Sequence, residues 1–124
     1  MSKIFIGTDI VSVPRIKNII ASPSGDKFIN RTFTDSEIGY CKNKEKSDVH
    51  FAGRFAAKEA IIKALLSTQN IYSLSMKSIE ILSGKNRKPE VNLNMDIDFK
   101  YKCKVSISHT DENAIAFAIV EIDQ

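Results

Sequence analysis

Tryptophan is missing from this 124-residue sequence, and cysteine and histidine occur only twice each. Cys41 and Cys103 stand alone, with no C-x-x-C spacing and no Cys/His cluster to enclose zinc. Two isolated thiols suit a reducing compartment. No run approaches the roughly eighteen apolar residues a membrane span needs. The first residues, Met1-Ser2-Lys3-Ile4-Phe5, read as the start of a strand instead of a secretory leader, so the cytoplasm is the expected location. A large charge surplus is also lacking: eighteen Lys and Arg oppose fifteen Asp and Glu, a net +3. That excess suits an anionic ligand or an acidic partner without specifying either. There are no repeats and no low-complexity tract, and the length allows one domain with one modest core.

What is present changes period along the chain. Residues 3–13 are β-branched and apolar enough for a buried strand. Pro14 suits the first turn of a helix over 14–21, with Ser12 as its cap. Ser22-Pro23-Ser24-Gly25-Asp26 reads as a loop. Thr34-Asp35-Ser36-Glu37 matches a capping box and predicts a helix over 35–43. The longest helix is expected over 48–67, with Phe51, Phe55, Ile62, Leu65 and Leu66 on one apolar arc. Gly53 and the alanines at 52, 56, 57 and 60 lie mostly outside that arc, where small residues let a backbone or a ligand approach. Beyond residue 70 the pattern alternates, predicting strands at 77–82, 90–94, 103–109 and 114–122. The basic turn 85–89 joins the first two, and Thr110-Asp111-Glu112-Asn113 joins the last two. The expected fold is α+β: an antiparallel sheet with a long helix packed on it, in a single domain spanning 1–124.

Three polar residues interrupt this pattern. Asp9 alternates onto the strand face of Phe5, Gly7 and Val11, where a bare carboxylate would cost several kcal/mol unless hydrogen-bonded, paired or metal-bound. Capping the following helix would also account for it. Glu59 flanks the apolar arc at about 80° from Phe51 and precedes Lys63 by one turn, an arrangement that also suits a simple surface pair. Lys58 is directed into the arc itself, where a solvated lysine does not belong. His109 ends the strand Val105-Ser106-Ile107-Ser108-His109, a place where histidines often serve structure alone. A Ser108–His109–Asp111 triad is excluded, because adjacent strand residues point to opposite faces.

Taken together, these segments resemble the 4′-phosphopantetheinyl transferases, specifically the short synthase type acting on acyl carrier protein. Gly7-Thr8-Asp9-Ile10-Val11 resembles the family's G-x-D-[IV] strand. Phe51-Ala52-Gly53-Arg54-Phe55-Ala56-Ala57-Lys58-Glu59-Ala60 resembles its F-A-x-R-[FW]-A-A-K-E-A helix, and Ser106-Ile107-Ser108-His109-Thr110 its S-[IL]-[ST]-H-[TS] strand. The order and spacing match over nearly the whole chain. One turn departs: where the family has Gly-Lys-Pro, this chain has Arg87-Lys88-Pro89, so no nucleotide contact is carried to residue 87.

The resemblance implies transfer of the 4′-phosphopantetheine of coenzyme A to a serine of apo acyl carrier protein, a step in fatty acid biosynthesis. It implies Mg²⁺, or Mn²⁺, held by Asp9 and Glu59, a number of carboxylates that suits magnesium. Asp9, Glu59 and Lys63 form the implied catalytic set. Glu59, directly or through a water, accepts the serine proton, and Lys63 meets the diphosphate or protonates the leaving group. Arg54, Lys58, Lys63, Ser108, His109 and Thr110 are the implied contacts to coenzyme A. It further implies a homotrimer with sites between subunits, so that His109 comes from the neighbour. An acidic carrier protein is expected to dock near Arg15 and Lys17. Two other functions are open to the same residues. A metal-dependent hydrolase of coenzyme A-like diphosphates would use the same carboxylates. A small basic nucleic-acid-binding module lacks an aromatic stacking strand and helix-turn-helix spacing here.

Overall fold

The computed structural model describes residues 2–123. The chain opens with β1 (Ser2–Ser12), which passes directly into α1 (Val13–Ala21). Ser12 makes that junction abrupt: its hydroxyl accepts from the Arg15 amide at 3.2 Å, and Pro14 occupies the first turn, where no amide is needed. Next comes α2 (Gly25–Thr32), a helix where the Ser-Pro-Gly composition suggested only a loop. Ser24 precedes it, Asp26 lies in its first turn and Arg31 in its last, and Ile29 is buried. α3 (Asp35–Lys42) follows, and its capping box forms as expected: Thr34 accepts from the Glu37 amide while the Glu37 carboxylate accepts from the Thr34 amide.

α4 (Ser47–Ser67) is the axis of the molecule. It packs against β1 and the last two strands, β4 (Tyr101–His109) and β5 (Asn113–Asp123). The expected apolar arc is buried only in part: Phe51 and Leu65 lie in the core as expected. Ala52, Ala56, Ala57, Ala60 and Ala64 are fully buried, whereas Phe55 and Ile62 are half-buried and Leu66 is 40% exposed. The small residues form the contact face because the sheet backbone comes close to the helix. A Cβ on Gly7 would collide with the Ala60 carbonyl oxygen and lie 2.9 Å from the Ala64 nitrogen. The glycine two residues before Asp9 thus sets how near β1 lies to α4.

The strands form two sheets instead of one. β1 pairs antiparallel with β5, the first strand with the last, and β5 pairs with β4, giving the order β1-β5-β4. The hairpin of β2 (Ile79–Ser83) and β3 (Pro89–Leu93) stands as a separate pair. Its strand β2 begins later than expected because Met76–Ser78 forms a 3₁₀ turn. In the turn before Pro89, Asn86 and Arg87 adopt φ of 59° and 61°. Arg87 therefore takes the left-handed conformation for which a glycine is suited, at a cost of about 1–2 kcal/mol. No helix among the described residues is long and apolar enough to cross a membrane.

Candidate active site

Asp9 falls opposite Ala116 on β5, on the face that α4 covers. Its side chain is 17% exposed, and Lys63 Nζ donates to Asp9 Oδ1 at 3.2 Å and to the Thr8 carbonyl at 2.9 Å. Glu59, one turn before Lys63 on α4, is half-buried. Its carboxyl is held above the usual glutamate range first by burial and then by the negative charge of Asp9, with Lys63 opposing. Asp9 and Glu59 also line one cleft of about 340 Å³. Phe28 and Phe55 form part of its wall, and Arg15 of α1 borders it. The three expected catalytic residues are therefore together, and Lys63 turns to Asp9 instead of forming the bland helical pair.

Lys58 is elsewhere. Its side chain is fully buried, ion-paired to Glu37, and donates to the carbonyls of Thr32 at 2.8 Å and Met76 at 3.0 Å. An ammonium with three oxygen partners and no exposure does not meet coenzyme A, so the expected ligand contact is corrected to an internal tie. Burial lowers its pKa, and the Glu37 carboxylate works against that shift. Glu37, which the sequence showed only as a helix cap, also accepts from the Ile81 amide at 2.8 Å. One carboxylate thus joins α3, α4 and β2.

His109 and Arg54 lie across α4 from the carboxylates. The His109 ring is 6.2 Å from that of His50, which in turn is 5.7 Å from Tyr40. The Arg54 guanidinium sits 3.9 Å over the Tyr40 ring, and Lys44 Nζ lies 4.7 Å from the same ring. Arg54 is buried with its Nε unpartnered, and none of the ion pairs among the described residues involves it. A buried cation without a counter-charge is unfavourable until an anion arrives. Tyr40, Lys44 and His50 had escaped notice, because single aromatic and basic residues on separate segments carry no spacing signal. Ser108 and Thr110 do not extend this patch. Ser108 pairs opposite exposed Ile115 on the other sheet face, and the Thr110 hydroxyl accepts from the Glu112 and Asn113 amides at 3.1 Å.

Residues 5–120 match the family model of the 4′-phosphopantetheinyl transferase superfamily. The chain is 41% identical to the holo-[acyl-carrier-protein] synthase of Protochlamydia amoebophila over 117 residues, covering 92% of this chain and 94% of that one. It is 44% identical to the same enzyme of Clostridium beijerinckii over 121 residues, covering 94% and 95%. Among solved structures, the Helicobacter pylori holo-[acyl-carrier-protein] synthase in complex with coenzyme A superposes with a TM-score of 0.78 at 35% identity, covering 93% of this chain and 98% of that one. The chain belongs to the 4′-phosphopantetheinyl transferase superfamily, and within it to the holo-[acyl-carrier-protein] synthases.

Proposed function

We propose that this chain transfers the 4′-phosphopantetheine arm of coenzyme A to a serine of apo acyl carrier protein, with Asp9, Glu59 and Lys63 as the reacting-centre residues. The reading is carried by Asp9 and Glu59 lining one cleft, with Lys63 ion-paired to Asp9. The serine oxygen forms a bond to the β-phosphorus while the bond to the departing adenosine 3′,5′-bisphosphate breaks. Glu59, with its carboxyl raised toward neutrality by burial and by Asp9, is suited to accept the serine proton. Lys63, more than half exposed and paired to Asp9, meets the diphosphate or returns a proton to the leaving oxygen.

The donor set fits a magnesium ion, or manganese in its place. Two carboxylates lie near enough for one to perturb the other, and the cleft leaves room for the phosphate and water ligands magnesium keeps. Asp9 and Glu59 would hold it. Such an ion supplies charge neutralisation on the diphosphate, which phosphoryl transfer needs more than covalent help.

Coenzyme A's nucleotide phosphates are assigned to Arg54 and His109, supported by the uncompensated charge around Arg54. Because α4 separates His109 from Asp9 within one chain, a site using both draws His109 from a second copy. The outer face of the β1-β5-β4 sheet supports assembly: Ile6, Ile10 and Phe117 are 57%, 66% and 42% exposed, beside exposed Ile4, Ile115 and Ile119. An apolar surface of this kind marks an interaction site. A homotrimer covers it in this reading. The acidic carrier protein docks on α1, with Arg15 at the cleft. Lys17 is exposed on the same helix but points about 200° away from Arg15. A cytoplasmic location completes the proposal.

Mass spectrometry of apo acyl carrier protein incubated with the chain, coenzyme A and Mg²⁺ tests the whole reading. The expected product carries one added phosphopantetheine. Pantetheine phosphate released to water with no modified carrier would identify a hydrolase instead, and an unchanged carrier under all conditions would end the proposal.

A further inference from the structure

We propose that Gly7 is a positioning residue: by letting β1 lie flush on α4, it sets the span between Asp9 and Glu59 to fit a divalent cation as small as magnesium. The inference rests on the assignment of those two carboxylates to a metal and goes beyond it, to what fixes their separation and which cations that separation admits.

Gly7 has no conformational reason to be glycine. It sits inside a regular strand, opposite Ala118, and no glycine among the described residues has a positive φ. Glycine weakens a strand interior, and inside a regular strand it marks the close approach of another backbone. Here that backbone is α4. A Cβ on Gly7 would collide with the Ala60 carbonyl oxygen, and would lie 3.0 Å from the Ala60 carbonyl carbon and 2.9 Å from the Ala64 nitrogen. These are main-chain atoms of a helix, so no side chain can turn aside. Nor can β1 give way locally, because residues 2–12 are all in register with β5. Room for a Cβ requires the strand and the helix to part.

The contact coincides with the candidate site on both sides. Gly7 is two residues before Asp9 on the same strand face, while Ala60 and Ala64 directly follow Glu59 and Lys63. Lys63 spans the same gap, reaching from α4 to Thr8 and Asp9 on β1. A change in the spacing of β1 and α4 is therefore a change in the distance between the two carboxylates. Magnesium tolerates little such change. It asks for near-octahedral oxygens at about 2.0–2.1 Å, whereas calcium accepts oxygens at about 2.3–2.6 Å in looser geometry.

The test measures cation binding itself. Mn²⁺ is followed by electron paramagnetic resonance with coenzyme A present and carrier protein absent, so that no transfer occurs, and with coenzyme A alone as the blank. Mg²⁺ or Ca²⁺ then displaces it. The readout is the ratio of the Mg²⁺ and Ca²⁺ dissociation constants, which does not depend on how much of a variant is folded. In Gly7→Ala the Mg²⁺ constant is expected to rise about tenfold and the Ca²⁺ constant by less than about threefold. Val120→Ala truncates a fully buried side chain on the same sheet face and inserts nothing between strand and helix. It is expected to lower stability and leave the ratio at the wild-type value. Ala64→Ser, which enlarges the same contact by one atom, is expected to move the ratio the same way by less, and carries the test should Gly7→Ala not fold. Equal losses for both cations in Gly7→Ala would mean that the contact serves stability alone and would overturn the inference, as would the same shift of the ratio in Val120→Ala. Mn²⁺ binding left unaltered by Asp9→Ala would remove the metal assignment, and this inference with it.

Discussion

Lys63 Nζ bridges the Asp9 carboxylate at 3.2 Å and the Thr8 carbonyl at 2.9 Å, so the ammonium on α4 is fastened to the strand that carries the acid. Glu59 lies one turn earlier on the same helix, beside the same carboxylate. The ammonium offsets part of the repulsion between the two acids, and a metal ion sharing Asp9 would free it for the diphosphate.

Replacing Lys63 by methionine therefore has two opposed consequences. Turnover should fall by about two orders of magnitude, the scale of losing one preorganised charge at a reacting centre. The Mg²⁺ concentration needed for half-maximal activity should not rise, because removing a cation beside two carboxylates favours another cation. Titrating activity against Mg²⁺ separates these effects. Full turnover with only a higher metal requirement would reduce Lys63 to a brace for Asp9.

Glu59 should give the protein a signature in pH. Its folded-state carboxyl binds a proton more tightly than it does in the unfolded chain, because of burial and then Asp9. Metal-free stability should therefore fall as pH rises from the ordinary glutamate range through the raised value, and level off above it. Glu59→Gln should flatten that segment in urea melts and should also abolish transfer, since it keeps the shape and removes the charge. Near-normal turnover of Glu59→Gln at saturating Mg²⁺ would refute both its metal and its base assignments.

The tie between Lys58 and Glu37 belongs to stability, not to ligand binding. Lys58→Met strands a buried carboxylate and should cost about 3–5 kcal/mol. The double variant Lys58→Met/Glu37→Gln removes both charges and should recover part of that loss, although the one amide oxygen can replace only one of the two carboxylate oxygens that accept from the Thr34 and Ile81 amides. Denaturant melts of the two singles and the double give the coupling energy. Additive losses would show that the pair is not coupled.

The features legible in the sequence are those written locally. The Ser12–Pro14 junction, the Thr34–Glu37 box and the extent of α4 follow from residues a few positions apart. The group formed by Asp9, Glu59 and Lys63 was visible through the family resemblance of two segments. What escaped depends on distant partners. The pairing of β1 with β5 joins the two ends of the chain, and nothing in either strand names the other. The buried face of α4 was legible only in part: Phe51 and Leu65 are core as expected, but Phe55, Ile62 and Leu66 were placed there with them. Close approach at Gly7 instead reserves that face for alanines. Lys58 looked available to a ligand because its partner Glu37 had already been given a task as a cap.

Charge reversal on α1 should separate Arg15 from Lys17. Arg15 borders the carboxylate cleft, whereas Lys17 projects from another side of the same helix. Arg15→Glu should raise the KM for acyl carrier protein several-fold at low salt, and less at high salt, because such charges act on encounter and are screened. Lys17→Glu should have the smaller effect, and neither should alter the KM for coenzyme A. An unchanged KM for the carrier in both variants at low ionic strength would move the docking surface away from α1.

Subunit sharing can be tested by complementation. In one chain α4 stands between Asp9 and His109, so a trimeric site that uses both must take them from different copies. Asp9→Ala trimers have no intact acid, and His109→Ala trimers no intact histidine, so each homotrimer should be defective at every site. Mixed trimers contain some interfaces where an intact Asp9 from one chain faces an intact His109 from its neighbour. Activity should therefore appear only after subunits exchange, and should stay below wild type because random mixing pairs intact halves at only some interfaces. The measurement is transfer activity before and after unfolding and co-refolding, with heterotrimers verified by native mass spectrometry and with His109→Ala alone shown to be impaired. Verified heterotrimers as inactive as their parents would mean that one chain must supply both residues. The exposed Ile6–Phe117 face would then have to be covered by an assembly that leaves each active site within a single subunit.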